Sequence, residues 1–162
     1  MKKRVLSLFL AFAMILGLMP AVTAAETVKI GTAEALFDFA DRVNGTGDYS
    51  VPEPDLSAVL TGDITVAEEW VPIGLKAAPY AGIFDGRGYS ITLSNGITYR
   101  GTNERYGLFG TVSGTIQNLT VKGSIDFSNQ AGNVGGIAGY LNGGKVQACL
   151  NEASIAGKNN VG

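Results

Sequence analysis

The feature that most constrains this chain is an internal repeat over residues 106–162. The first copy reads YGLFGTVSGTIQNLTVKGSID and the second reads VGGIAGYLNGGKVQACLNEASIA. Gly107-Leu108-Phe109-Gly110 returns as Gly136-Ile137-Ala138-Gly139 at a shift of 29. After one extra residue the shift is 30: Ile116 returns as Val146, Gln117 as Gln147, and Ser124-Ile125 as Ser154-Ile155. A third copy opens at Val161-Gly162. A unit of this length, built of short β-like runs between glycine corners, cannot bury its apolar face alone. It does so by stacking on its neighbours, which is a solenoid.

The copies occupy 106–133 and 134–160, and the solenoid is expected over 59–162. Within them one aliphatic falls at about every second position, as in 115–121 and 134–141. Glycines at 107, 110, 114 and 123, then at 135, 136, 139, 143 and 144, separate the runs and allow close approach of coils. Upstream, Val59-Leu60 through Ile64-Thr65-Val66 reads as the first strand region, and Tyr89-Ser90-Ile91-Thr92-Leu93 alternates as a half-buried strand. Asn95-Gly96 reads as a turn and Ile97-Thr98-Tyr99 as a further strand.

Residues 1–25 read as a signal peptide. Lys2-Lys3-Arg4 are its basic start, 5–19 its apolar run, and Val22-Thr23-Ala24-Ala25 its small-residue cleavage region. Fifteen apolar residues are short for a membrane span, and no later stretch is apolar enough, so no membrane contact is expected after cleavage. The expected location is secreted or at the cell surface. Cleavage takes the formal net charge from −2 to −5, and Lys and Arg do not cluster after Arg4. That excludes nucleic acid as the main partner.

Residues 26–58 read as an N-terminal cap. A helix is expected at 32–44, with Thr32 as N-cap, an apolar stripe of Leu36, Phe37, Phe39, Ala40 and Val43, and Asn44-Gly45 as its stop. A polar loop with Pro52 and Pro54 follows. The helix would cover the apolar end and free edges of the first coil.

At this point the residues resemble those of a known family. Gly107-Leu108-Phe109-Gly110 and Gly136-Ile137-Ala138-Gly139 resemble the GLUG motif. Trp70-Val71-Pro72-Ile73-Gly74 is similar to that family's W-x-P-I-G, the run from Gly82 to Ile91 to its G-x-F-D-G-x-G-x-x-I, and the run from Gly114 to Leu119 to its G-x-I-x-N-L. The chain resembles GLUG-motif proteins, secreted or surface proteins of Gram-positive and gut bacteria, over about 30–162. The resemblance implies an all-β, right-handed parallel β-helix-like solenoid with the short capping α-helix. It also implies the settings of such modules: adhesin-like surface proteins and the non-catalytic part of IgA-specific metallopeptidases. The sequence departs from the pattern at Ala148-Cys149, where Asn-Cys is frequent, and at Arg87, where Asn is common.

The chain has no histidine, which excludes an HExxH metal site and Ser-His-Asp or Cys-His catalysis. No phosphate loop or dinucleotide fingerprint appears; Gly82, Gly86 and Gly88 read as a solenoid corner. The lone Cys149 matches Leu119 in the repeat and reads as a small apolar side chain. The two sequons, at Asn44 and Asn118, read as chance matches.

No catalytic, cofactor or metal residues are assigned, and no cofactor is expected. The carbohydrate-active alternative rests on Asp63, Glu68, Glu69 and Asp85 near Trp70 and Tyr80, with Lys76 and Arg87 the nearest basic residues. It requires Asp63, Glu69 and Asp85 in one groove beside Trp70. The competing readings are a turn role for Asp85 and a core anchor for Trp70.

The leading expectation is a non-catalytic surface module, an adhesin-like scaffold or stalk. It would bind host or cell-wall glycans or surface proteins through its flat face and the corner loops 101–105 and 128–133. A third reading is the N-terminal fragment of a larger surface protease or adhesin. An array truncated inside a repeat would expose Ile137, Val146 and Ile155 on its last coil and self-associate through that end.

Overall fold

The computed structural model describes residues 26–67, 69–94, 104–128 and 131–162. The signal-peptide reading, Glu68, the turn and strand expected at 95–99, and parts of both corner loops lie outside the described residues.

Every strand pairing is parallel, and successive coils wind into a β-solenoid of about four turns. Along one side, β1 (Thr27–Ile30), β2 (Ser57–Leu60), β4 (Ile83–Asp85), β8 (Thr115–Gln117) and β12 (Lys145–Gln147) form the first sheet in that order. The second sheet runs β3 (Ile64–Val66), β5 (Ser90–Leu93), β9 (Thr120–Phe127), β13 (Leu150–Asn151), and β14 (Ser154–Gly157) pairs with the far half of β9. The circuit closes through β6 (Arg105–Tyr106), β10 (Asn133–Val134) and β15 (Asn160–Val161), and through β7 (Phe109–Val112) with β11 (Ala138–Leu141).

The repeat shifts are the strand registers. Phe109 faces Ala138 at 29, while Ile116 faces Val146 and Ile125 faces Ile155 at 30. Val161, where the third copy opens, faces Val134. Each coil therefore places an apolar side chain over its predecessor, as in the column Phe84–Ile116–Val146. Each buried aliphatic contributes about 1.5–3 kcal/mol.

The motif glycines have a steric reason. A Cβ on Gly107 would stand 2.6 Å from the Gly135 carbonyl oxygen, and one on Gly139 2.5 Å from the Tyr106 nitrogen. Coils at β-sheet spacing leave no room there. Gly123 bends β9 where its pairing changes from β5 and β13 to β14; its φ is +97° and it lies against the Leu93 carbonyl.

The single helix among the described residues, α1 (Ala33–Asn44), lies where it was expected, with Thr32 as its N-cap. Thr32 accepts from Ala35 N–H, and Gly45 ends it in the left-handed region. Leu36, Phe39, Ala40 and Val43 are buried. Phe39 lies 6.0 Å from Tyr80 and 5.9 Å from Phe84, centroid to centroid, so the helix sits over the aromatic interior of the first coils. Asn44 links it to Trp70-Val71-Pro72-Ile73-Gly74: its buried amide donates to Pro72 O and accepts from Gly74 N–H. Trp70 is fully buried, touches Phe37, and donates to Leu108 O at 3.1 Å. Trp70 is the core anchor that its competing reading named.

Three details differ from the sequence reading. The segment 26–58 holds a strand, β1, and is not helix and loop alone. The run 115–121 is two strands separated by a corner at Asn118, whose φ of 53° turns the chain without glycine. Its inward side chains are Ile116, Leu119 and Val121. The run 134–141 is likewise two strands, β10 and β11.

Candidate functional site

Of the acids singled out by sequence, Asp63 and Asp85 are each engaged by hydrogen-bond donors. Asp63 lies at the corner between β2 and β3, and its Oδ1 accepts from Ser90 N–H at 2.7 Å and from Ser90 Oγ at 2.9 Å. Those bonds lower its pKa. Asp85 lies one coil on, at the end of β4. It accepts from Arg87 N–H at 2.8 Å, from Gln117 Nε2 at 3.0 Å and from Asn118 Nδ2 at 3.0 Å. Burial pushes its pKa up, and these bonds outweigh burial and hold it below the ordinary value. A general acid needs the opposite direction. Asp85 is thus the turn residue of its competing reading, and it also stitches one coil to the next.

Glu69 is exposed and lies past β3, beyond the far end of the second sheet from that corner. Trp70 has no exposed ring face to offer a sugar, since its relative exposure is 0%. Tyr80 is equally buried, and its hydroxyl lacks a hydrogen-bond partner. Desolvation raises its pKa well above the usual value. Cys149 is half-buried in the slot that Leu119 fills below it; its thiol points at Gln147 O, 3.3 Å away, and burial raises its pKa. No group of three or more Cys, Asp and Glu side chains spaced for a metal occurs among the described residues. No helix among them is long and apolar enough to cross a membrane.

Two depressions among the described residues bear on the positions named from sequence. The first, about 460 Å³, follows the corner between the first two sheets and is lined by Asp85, Arg87, Asn118, Thr120, Ala148 and Leu150 among others. Its side-chain amide, Asn118, is already engaged with Asp85; on the strands leading into the corner, Gln117 bonds Asp85 and Gln147 Nε2 donates to Gln117 Oε1 at 2.9 Å, a ladder running up the outer face.

The second depression, about 300 Å³, joins the two corner loops named from sequence. Glu104 and Arg105 line it with Ala131, Gly132, Asn133 and Asn159. β6 and β10 bring the loops together, with Arg105 facing Asn133 in register. Above, Asn160 Nδ2 donates to Asn133 Oδ1 at 2.9 Å. Arg105 is fixed from two sides. Its Nη1 donates to the buried Thr111 hydroxyl at 2.9 Å, and its guanidinium lies 4.3 Å from the Tyr140 ring centroid. Tyr140 faces outward and is 41% exposed. Sequence reasoning named the loops and missed Tyr140. Its signal was available: Tyr140 stands where the other copy has Thr111.

The class defined by the fold is therefore a helix-capped parallel β-solenoid whose outer face carries an amide ladder and an arginine–tyrosine pair. No family model, no curated protein and no solved structure matches the chain.

Proposed function

We propose that the chain is a non-catalytic, exported surface module of the GLUG-motif type, an adhesin-like scaffold that binds glycan through the depression beside Arg105 and Tyr140. The observation that carries this reading is the Arg105–Tyr140 pair. It offers an exposed aromatic ring braced by a guanidinium, next to a cleft lined by Asn133, Asn159 and Glu104. An aromatic face takes the C–H side of a sugar ring, while amides and charged groups take its hydroxyls. Two of the acids offered for hydrolysis, Asp63 and Asp85, bond to donors of the next coil, which favours binding over turnover.

The test is a glycan array with the purified protein, repeated with Tyr140→Ala. Removing an exposed aromatic contact of about 1–1.5 kcal/mol weakens binding about tenfold. Binding that survives the substitution unchanged sinks the assignment of this site. Silence on the array together with cleavage of any polysaccharide sinks the non-catalytic reading.

A further inference from the structure

Two arginines among the described residues are half-buried, and their charges are handled differently. Arg42, on α1, is paired with two carboxylates: its Nη2 lies 2.9 Å from Glu53 Oε2 and its Nη1 3.3 Å from Glu26 Oε1. Arg105, on β6, makes no ion pair among the described residues. The Thr111 hydroxyl and the Tyr140 ring hold it in place without neutralising it. A charge drawn partly out of water without a counter-charge is unfavourable. Arg87, by contrast, is exposed, and water can serve it.

The fold sets the orientation of Arg105. β10 stacks on β6 and β15 on β10, so this edge of the cleft is built from successive coils. Thr111 is fully buried and accepts from Nη1, which ties one end of the guanidinium to the interior. The Tyr140 ring covers one face of its plane. Nε and Nη2 bond to no acceptor among the described residues, and Arg105 lines the depression. These two nitrogens are one edge of a planar fork whose spacing matches the two oxygens of a carboxylate.

The rest of the lining agrees. Asn133 Oδ1 accepts from Asn160 Nδ2, so the Nδ2 hydrogens of Asn133 remain as donors, and Asn159 adds a further amide. The one acid in the lining, Glu104, lies 3.6 Å from Lys76 Nζ, which offsets its charge. The local balance of Arg105, Glu104 and Lys76 is therefore positive, in a chain whose formal net charge is −2. The hydroxyls of a neutral sugar can accept from this fork but leave its charge in place. A carboxylate does both.

We propose that the ligand of this site is an acidic glycan: Arg105 takes the carboxylate of a uronic or sialic acid through Nε and Nη2, and the sugar that bears it packs against the exposed part of Tyr140. This rests on the proposed glycan reading and narrows its ligand class. The ring and the buried hydroxyl position the fork before the ligand arrives, so little ordering is left for binding to impose.

Calorimetry with the purified protein tests this on two matched pairs of probes, trigalacturonate against its methyl ester and sialyllactose against lactose. The pairs separate a uronate from a sialate as the source of the carboxylate. In the pair that binds, the acid is held about tenfold or more tightly than its neutral partner, the worth of a charge-assisted hydrogen bond. That advantage shrinks as salt is raised, because the site is open to solvent. Arg105→Lys keeps the charge, removes the fork, and takes most of the preference away. Equal binding of acid and neutral partner overturns the acidic-glycan proposal and leaves the glycan reading standing. So does a preference for a sulfated sugar over both carboxylates. A preference for the acid that Arg105→Lys leaves undiminished removes Arg105 from the site and overturns the proposal. Silence from every glycan sinks both readings.

Discussion

Replacing Ala148 by Asn should stabilise the last coil. Arg87, Asn118 and Ala148 turn the corner between the first two sheets in three successive coils, with φ of 50°, 53° and 51°. For a residue with a Cβ, that conformation costs about 1–2 kcal/mol, less for Asn, whose amide bonds locally. Asn118 shows the second benefit, donating to Asp85 one coil below at 3.0 Å. Gln117 occupies the place of Asp85 beneath Ala148, with Oε1 facing upward to Gln147. Ala148→Asn thus gains about 0.5 kcal/mol of backbone relief and about 0.5 kcal/mol from a solvent-exposed hydrogen bond.

Gly relieves φ but loses about as much in unfolded-state entropy, so the expected order is Asn above Gly, with Gly close to Ala. The readout is amide exchange at Leu150 and Glu152, which bond back to Leu119 O and Val121 O at 2.8 and 2.7 Å. A gain of about 1 kcal/mol slows both about fivefold. Asn118→Ala is the mirror experiment and loses a similar amount in a covered coil. Unchanged or faster exchange in Ala148→Asn refutes both halves of this reasoning: that backbone strain resides at the corner, and that relief of it favours asparagine.

Two further outcomes are expected. Asn44→Ala removes a buried amide and leaves Pro72 O and Gly74 N–H unpaired, which costs about 2–4 kcal/mol by the penalty for such groups; chemical denaturation measures it, and a loss under about 1 kcal/mol refutes the link between helix and first coil. Asp63 and Asp85 have pKa values depressed by hydrogen bonds, so their stabilisation is present above the unfolded-state pKa and is lost as pH falls through the folded one. Melting temperature should hold from neutral pH to about 4 and then fall, and the gap between wild type and Asp85→Asn should narrow through the same range; a gap that widens on acidification contradicts the assignment.

The repeat was legible because it is a direct image of the hydrogen-bond register. A shift of 29 or 30 in sequence is the length of one coil, and the same number separates Phe109 from Ala138 and Ile116 from Val146 in register. The capping helix was legible because Thr32, the apolar stripe and Gly45 all act locally. The corners were not. Arg87, Asn118 and Ala148 take a glycine-like φ without being glycine, so strand and turn merged into one alternating run. β1 was missed because four residues, of which only Ile30 is buried, make too short a pattern to stand out. The acids misled for a related reason: sequence shows a carboxylate but not the donors from the next coil that occupy it. Ser90 reaches Asp63 across 27 residues, and Gln117 reaches Asp85 across 32.

That division points to where function is written in such a chain. Inward positions answer to the coil below, and the two copies agree there in being apolar: Ile116 and Val146, Leu119 and Cys149, Ile125 and Ile155. At several other positions the copies diverge: Thr115 against Lys145, Thr120 against Leu150, Thr111 against Tyr140. A divergence that adds only a lysine gives a solvated face. Thr111 to Tyr140 replaces a buried hydroxyl by a large, 41% exposed ring held over the Arg105 guanidinium. Large exposed aromatics are not needed for stacking and invite unwanted contact, and that is the ground on which the proposed glycan contact at Tyr140 rests.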